Sequence, residues 1–136
     1  MIYNMTQHNL QERQTNQLEQ MGQQIVSDDE LDSLKEKLSN LKGNESLKEL
    51  SLQVIKTADR KGLDLVFPIG SPLFYMVFSE VFNKTKHNIT LYFSHTMREV
   101  KETKLKNGEI EKKMVFNHQG FHIYTKEEII YKEYAE

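Results

Sequence analysis

Apolar and polar positions along this chain switch between a period of two and a period near four, and the switches mark out most of the elements. "IYNMT" (Ile2 to Thr6) mixes β-branched, aromatic and polar residues before Gln7, His8 and Asn9, which reads as a short first strand and a loop. Leu10, Leu18 and Met21 then recur at helical spacing among glutamines. With Asn9 as the cap and Glu12 three residues on, a helix is expected to about Met21. "QQIVS" has room only for a brief second strand. Ser27 and Glu30 have capping-box spacing, Leu31, Leu34, Leu38 and Leu41 keep a three-four rhythm, and Gly43 closes this second helix. A third begins at Asn44, carries Leu47, Leu50, Val54, Ile55 and Ala58 on one side, and stops at Gly62.

Leu63 to Ile69 is almost continuously apolar, the pattern of a strand covered on both faces in a parallel sheet. Gly70, Ser71 and Pro72 make an elbow into Leu73 to Phe82, a run long enough for a buried helix, and "NITLYFS" (Asn88 to Ser94) is a further strand. After Ser94 the sequence turns charged. "MREVKETKL" and "EIEKKMVF" flank Asn107-Gly108, a pair that accepts the positive φ angles of a type I′ turn, so a hairpin is expected over about 97–117. "GFHIY" is expected as an edge strand, and the Thr125 and Glu128 spacing predicts a short C-terminal helix over about 125–135. The fold class is therefore α/β: a Rossmann-like, mostly parallel sheet flanked by helices, with a C-terminal β-hairpin extension, in a single domain of residues 1–136.

Composition narrows the function classes. The 136 residues suit one domain with a real core. The absence of cysteine excludes a disulfide framework, a thiolate zinc site and a thiol nucleophile, and fits a reducing compartment. A net charge of -2 with both signs interspersed gives no basic field for duplex nucleic acid. The N-terminus has no cationic, apolar leader, and no apolar run approaches the ~20 residues of a membrane span, so a cytoplasmic protein without a membrane partner is expected.

The elbow carries the first chemistry. Gly70 allows close backbone approach, Ser71 can cap, and Pro72 suits the first helical position. The free N–H groups of such a helix start attract a phosphate or carboxylate, and ligands of open α/β sheets sit beyond these strand ends. Three segments should converge there: Thr6, Gln7 and His8; Gly70 and Ser71; and Ser94, His95, Thr96 and Arg98. The competing reading is that polar residues after strands are merely loops and the elbow serves packing. No G-x-G-x-x-G or G-x-x-x-x-G-K-[ST] motif occurs, so no cofactor is expected.

His8 is the acid–base candidate, against a surface or capping role. Arg98 could grip a phosphate, against a hairpin ion pair with Glu99 or Glu102. His118 and His122 have H-x3-H spacing, but a metal pair of that spacing needs a helix and a third ligand, so structural or solvent roles are expected and no metal. Phe74, Tyr75, Phe78 and Phe82 read as core, with only Phe74, beside the elbow, having a claim on a ligand.

Two stretches add a resemblance. "NMTQHNLQERQ" resembles the start of small CRISPR-associated Rossmann-like proteins, and "PIGSPLFYMVFSEVF" is similar to the central strand, glycine turn and helix of the CARF superfamily. The likeness spans most of Ile2 to Ser94, and "LYFSHTMREV" with "VFNHQGF" looks like the end of small proteins sharing the Thr-Gln-His opening. The resemblance implies a homodimer that binds a cyclic oligonucleotide messenger of the cyclic oligoadenylate type in prokaryotic antiviral signalling. Ring-nuclease members open such rings without metal, the ribose 2′-hydroxyl acting as nucleophile. Carried onto this chain, Gly70 and Ser71 approach the ring phosphates, Thr6 and His8 line the same edge, and Phe74 offers an apolar contact to a base. The elbow lacks the lysine of some members, which bears on cleavage more than on binding. Two alternatives stand beside this reading: a non-catalytic sponge for an immune signal, encoded by a phage or mobile element, and a protein-interaction module using the hairpin and C-terminal helix.

Overall fold

A computed structural model describes residues Met1–Glu136. The elements run β1 (Ile2–Asn4), α1 (Glu12–Gln20), β2 (Ile25–Val26), α2 (Asp29–Ser39), α3 (Leu47–Lys61), β3 (Asp64–Phe67), α4 (Pro72–Lys84), β4 (Leu91–Lys104), β5 (Ile110–Tyr124) and β6 (Ile129–Glu133). The strands form one six-stranded mixed sheet in the order β2-β1-β3-β4-β5-β6. β1 pairs in parallel with β2 and β3, and β3 in parallel with β4, whereas β4–β5 and β5–β6 are antiparallel. No helix is long and apolar enough to cross a membrane.

Alternation along the strands builds two cores. Tyr3, Met5, Leu65, Phe67 and Leu91 meet the leucines of α2, the Leu50–Val54–Ile55–Ala58 stripe of α3 and Phe74, Phe78 and Phe82 of α4. Ile2, Val66, Tyr92, Phe121 and Ile123 pack on the opposite face around Leu18 of α1. Side chains buried this completely contribute roughly 1.5–3 kcal/mol each relative to exposure, so the larger cluster sets the stability of the sheet. One face therefore carries three helices and the other only α1.

Several boundaries differ from the sequence reading. α1 starts at Gln11 rather than at the Asn9–Glu12 pair, with Gln14 Oε1 accepting the Gln11 N–H at 2.7 Å. Asp28 rather than Ser27 caps α2, accepting from the Leu31 N–H at 2.9 Å; its carboxylate is the stronger acceptor and also meets Lys61 at 2.6 Å. α2 ends at Ser39, short of Gly43, and α3 waits for the Ser46 cap. β3 stops at Phe67 because Pro68, joined by a cis peptide, has no N–H for the ladder.

The hairpin turn is not type I′. Only Gly108 has positive φ (88°), with its N–H donated to Leu105 O at 3.0 Å and the Leu105 N–H to Glu109 O at 2.7 Å, so an ordinary turn followed by a left-handed glycine closes the ribbon. "GFHIY" lies inside β5 rather than at an edge, and the expected C-terminal helix is strand β6. Thr125 Oγ1 does accept the Glu127 and Glu128 N–H groups, each at 3.3 Å, as a cap would. The chain that follows pairs Ile129, Ile130 and Tyr131 against Tyr124, Ile123 and His122, because β-branched and aromatic residues fit a sheet edge better than an exposed helix.

Candidate functional site

The chain leaves β1 outward to β2 and returns on the other side as β3, and at that reversal the strand ends open into a cleft of about 810 Å³. Its first wall is the loop after β1. Asn4 Nδ2 donates to His8 O at 2.8 Å and Asn4 Oδ1 accepts the Thr6 N–H at 3.0 Å. The Thr6 hydroxyl lies 2.6 Å from Asn4 Oδ1 and 2.9 Å from His8 O. Lys35 Nζ holds Asn4 O from α2 at 3.0 Å. The loop is thus a closed hydrogen-bonded turn that presents Gln7, His8 and Asn9 to the cleft.

The second wall is the elbow. Gly70 lines the cleft at φ +83°, a conformation that disfavours a side chain. Ser71 caps α4, accepting from the Phe74 N–H at 3.3 Å, and does not line the cleft. Phe74 is fully buried against Tyr75 and Phe78, so the base contact expected of it is not available. Tyr75 lines the wall instead, because the helix start turns the first aromatic of the run inward under Gly70. The Tyr75 hydroxyl is buried; the Ile69 N–H lies close enough to stabilise its oxygen, but its own proton has no acceptor in the protein. Burial pushes that phenol up to about 12, with the Ile69 backbone a weaker opposing influence.

The third wall is β4, and alternation divides the expected residues. Ser94 and Thr96 line the cleft, whereas His95 falls on the other face, its ring 5.8 Å from that of His122 and 5.9 Å from that of Tyr131. His95 is therefore removed from the site. Arg98 stands farther out on the hairpin with its guanidinium 5.4 Å from the centre of the Phe116 ring, and it is Phe116 that lines the cleft. Neither expected ion pair forms: Glu102 lies 3.8 Å from Lys112, and Glu99 accepts from Asn117.

Behind Ser94 lies a buried polar chain. β5 carries an extra residue where His95 pairs with Gly120 and Thr96 with His118, and this bulge turns His118 inward under α1. His118 Nδ1 lies 2.6 Å from Ser94 Oγ, and Nε2 lies 2.6 Å from Gln17 Oε1. Gln17 Nε2 in turn donates to Lys132 O in β6 at 2.8 Å. Burial drives the His118 imidazole down to about 4, with Arg13 and His95 adding to the effect. His118 and His122 occupy opposite faces of β5, so the H-x3-H spacing does not bring them together.

No Lys, Arg, Asp or Glu lines the cleft. The N-termini of α1 and α4 reach its rim through Gln11 and Gly70, and helix starts carry partial positive charge. Of the expected residues, Thr6, Gln7, His8, Gly70, Ser94 and Thr96 meet there. Gln11, Tyr75, Phe116 and the His118–Gln17 pair behind the wall were missed. Counting the ladder back from a two-residue Asn107-Gly108 turn sets Asn117 opposite Arg98; the wider turn moves the register by one residue and puts Phe116 there instead.

A family model matches residues 1–122, a span that includes every cleft residue and stops short of β6. The chain belongs to the uncharacterized protein MJ1673 family. No curated protein and no solved structure matches it. Within the family match lie both the Thr-Gln-His loop and the Gly-Ser-Pro elbow.

Proposed function

We propose that the cleft binds a cyclic oligonucleotide of the cyclic oligoadenylate type, with ring phosphates at the N-termini of α1 and α4. The observation that carries this reading is a cleft free of Lys, Arg, Asp and Glu at the crossover between β1 and β3, flanked by two helix starts and lined in part by Tyr75, whose buried hydroxyl has no acceptor in the protein. A buried donor without a partner costs roughly 1–3 kcal/mol, which a phosphate oxygen would recover. The likeness of "NMTQHNLQERQ" and "PIGSPLFYMVFSEVF" to CARF-type proteins selects a cyclic oligonucleotide from among anionic ligands.

A second copy of the chain completes the site on this reading. Phe116 at the cleft, Met114 on the same hairpin, and Leu73 and Met76 on α4 are exposed apolar residues, and a two-fold symmetric ring favours a two-fold symmetric pair. Where the ring is opened, the 2′-hydroxyl gives up its proton and attacks the adjacent phosphate, the P–O5′ bond breaks to leave a 2′,3′-cyclic phosphate, and the departing 5′-oxygen takes up a proton. The protein orients the sugar, and His8 at the cleft is the acid–base group.

The test is a melting series against cyclic di-, tri-, tetra- and hexa-adenylate, with the same samples then run over chromatography. A ring at about 100 times its dissociation constant adds roughly 2.7 kcal/mol of stability. A shift with a linear product establishes a ring nuclease, and a shift with the ring intact a sensor or sponge. No shift with any ring removes the proposal.

A second reading, a protein-interaction module, rests on the hairpin alone, since the C-terminal segment is a strand. Val100 faces Met114 across the ribbon, with Ile110 and Phe116 on the same side, which leaves an exposed apolar stripe among the charges. Deleting the Asn107-Gly108 tip should abolish partner capture while leaving nucleotide effects untouched; capture that survives the deletion removes this reading.

A further inference from the structure

We propose that Ser94 is an acceptor-only contact in the cleft, held in that state by His118 and Gln17, and that it receives the ribose 2′-hydroxyl of the bound ring. The assignment rests on the ring reading above for its ligand, but the direction of the hydrogen bonds follows from the protein alone.

Gln17 fixes the direction. Its Nε2 donates to Lys132 O at 2.8 Å, and the flipped amide would set one carbonyl oxygen against another. Gln17 Oε1 is therefore the atom facing His118 Nε2 at 2.6 Å, and Nε2 carries the proton. With the imidazole fully buried and neutral, Nδ1 is a bare lone pair 2.6 Å from Ser94 Oγ. Ser94 has one hydrogen, and it is committed to Nδ1. Thr96 Oγ1, 3.2 Å from Ser94 Oγ, must then be the donor of that contact. The chain runs one way, from Thr96 through Ser94 and His118 to Gln17 and Lys132, and Ser94 can offer a ligand only a lone pair.

An acceptor of this kind discriminates. A ligand hydroxyl completes it, whereas an ether or ester oxygen at the same place repels it, and a site built around a hydrogen bond rejects the analogue that lacks the group. Gln17 and His118 touch no ligand. They are positioning residues, and their effect is the orientation of one serine proton.

The test uses the intact chain in two parts. Long-range 1H–15N spectra of the free protein, with His118 assigned by its loss in His118→Asn, should show a neutral ring protonated at Nε2 from pH 8 to pH 5. In Ser94→Ala the Nδ1 resonance should move as its hydrogen bond is lost. A ring protonated at Nδ1, or charged at pH 7, overturns the proposal with no ligand involved. The second part measures binding of cyclic tetra-adenylate and of its all-2′-deoxy counterpart. The wild type should prefer the ribose ring by about tenfold, the worth of one hydrogen bond, and Ser94→Ala should bind both rings alike. Equal affinity of the wild type for the two rings overturns the 2′-hydroxyl assignment while leaving the ring reading in place. Failure of both rings to bind overturns the ring reading and the ribose assignment with it.

Discussion

Gln17 in α1 and His118 in β5, separated by 101 positions in the chain, are joined by a 2.6 Å hydrogen bond between Oε1 and Nε2 beneath the only helix on that face of the sheet. The same amide holds Lys132 O, so one side chain ties α1 to both outer strands. Gln17→Leu fills similar space but strands a buried N–H and a buried carbonyl. At roughly 1–3 kcal/mol for each, the expected loss is about 2–6 kcal/mol by urea denaturation, with faster amide exchange in β6 than in β3. A loss below about 0.5 kcal/mol would show that water replaces the amide there.

The His118 environment makes stability depend on pH in a definite direction. Its folded-state value is lowered from 6.5 to about 4, so the unfolded chain binds the proton more tightly. The stabilisation is fully present above about 6.5 and is lost as pH falls from there through 4, a total of roughly 3 kcal/mol. Denaturation midpoints at pH 7.5, 5.5 and 4.5 for the wild type and His118→Asn isolate it, since the carboxylates common to both cancel in the difference. The gap between the two proteins should narrow steadily on acidification; a gap independent of pH would mean that His118 titrates normally.

Gly120 is the one strand glycine that packing forbids to change. A Cβ there would overlap Lys132 O and stand 2.6 Å from the Tyr131 hydroxyl, at the end of the β5–β6 ladder. Gly120→Ala should detach β6, exposing its amides to exchange and costing at least about 2 kcal/mol, because the clash is with backbone that cannot rotate away. Gly70→Ala is a contrasting control. Its Cβ would meet Phe74 at an ordinary 3.4 Å, so only the φ of +83° is strained, at about 1–2 kcal/mol. Equal effects of the two substitutions would contradict this ranking.

The parallel half of the sheet and its helices were legible because each announces itself locally: the leucine rhythm from Leu31 to Leu38, the apolar run into Phe67, and Pro72 after a capping serine. The failures lie where distant chain decides. Thr125 and Glu128 form the local turn that a capping box suggests, yet the free edge of β5 captures the residues after it. His95 lies inside β4 rather than after its end, and it points away, since one step of register changes the face. The bulge that swings His118 behind Ser94 leaves no mark in the sequence beyond Gly120. Thus the cleft's loops could be named from the chain, while the groups that set the chemistry of its wall could not.

Tyr75 separates the needs of the fold from those of a ligand. Its hydroxyl is buried with no acceptor in the protein for its proton, so removing it in Tyr75→Phe relieves an unsatisfied group and should leave stability unchanged or raise it by up to about 1 kcal/mol. If the cleft takes an anionic ligand, the same substitution removes a donor that only the ligand satisfies. Affinity for cyclic tetra-adenylate should then fall about 10- to 150-fold, the range for a hydrogen bond to a charged partner. Calorimetric titration beside a melting curve reads both quantities on one sample. A stability loss above about 1 kcal/mol would reveal an internal acceptor for the hydroxyl. Unchanged affinity with unchanged stability would place the ligand's phosphates away from this wall and leave the helix starts alone to hold them.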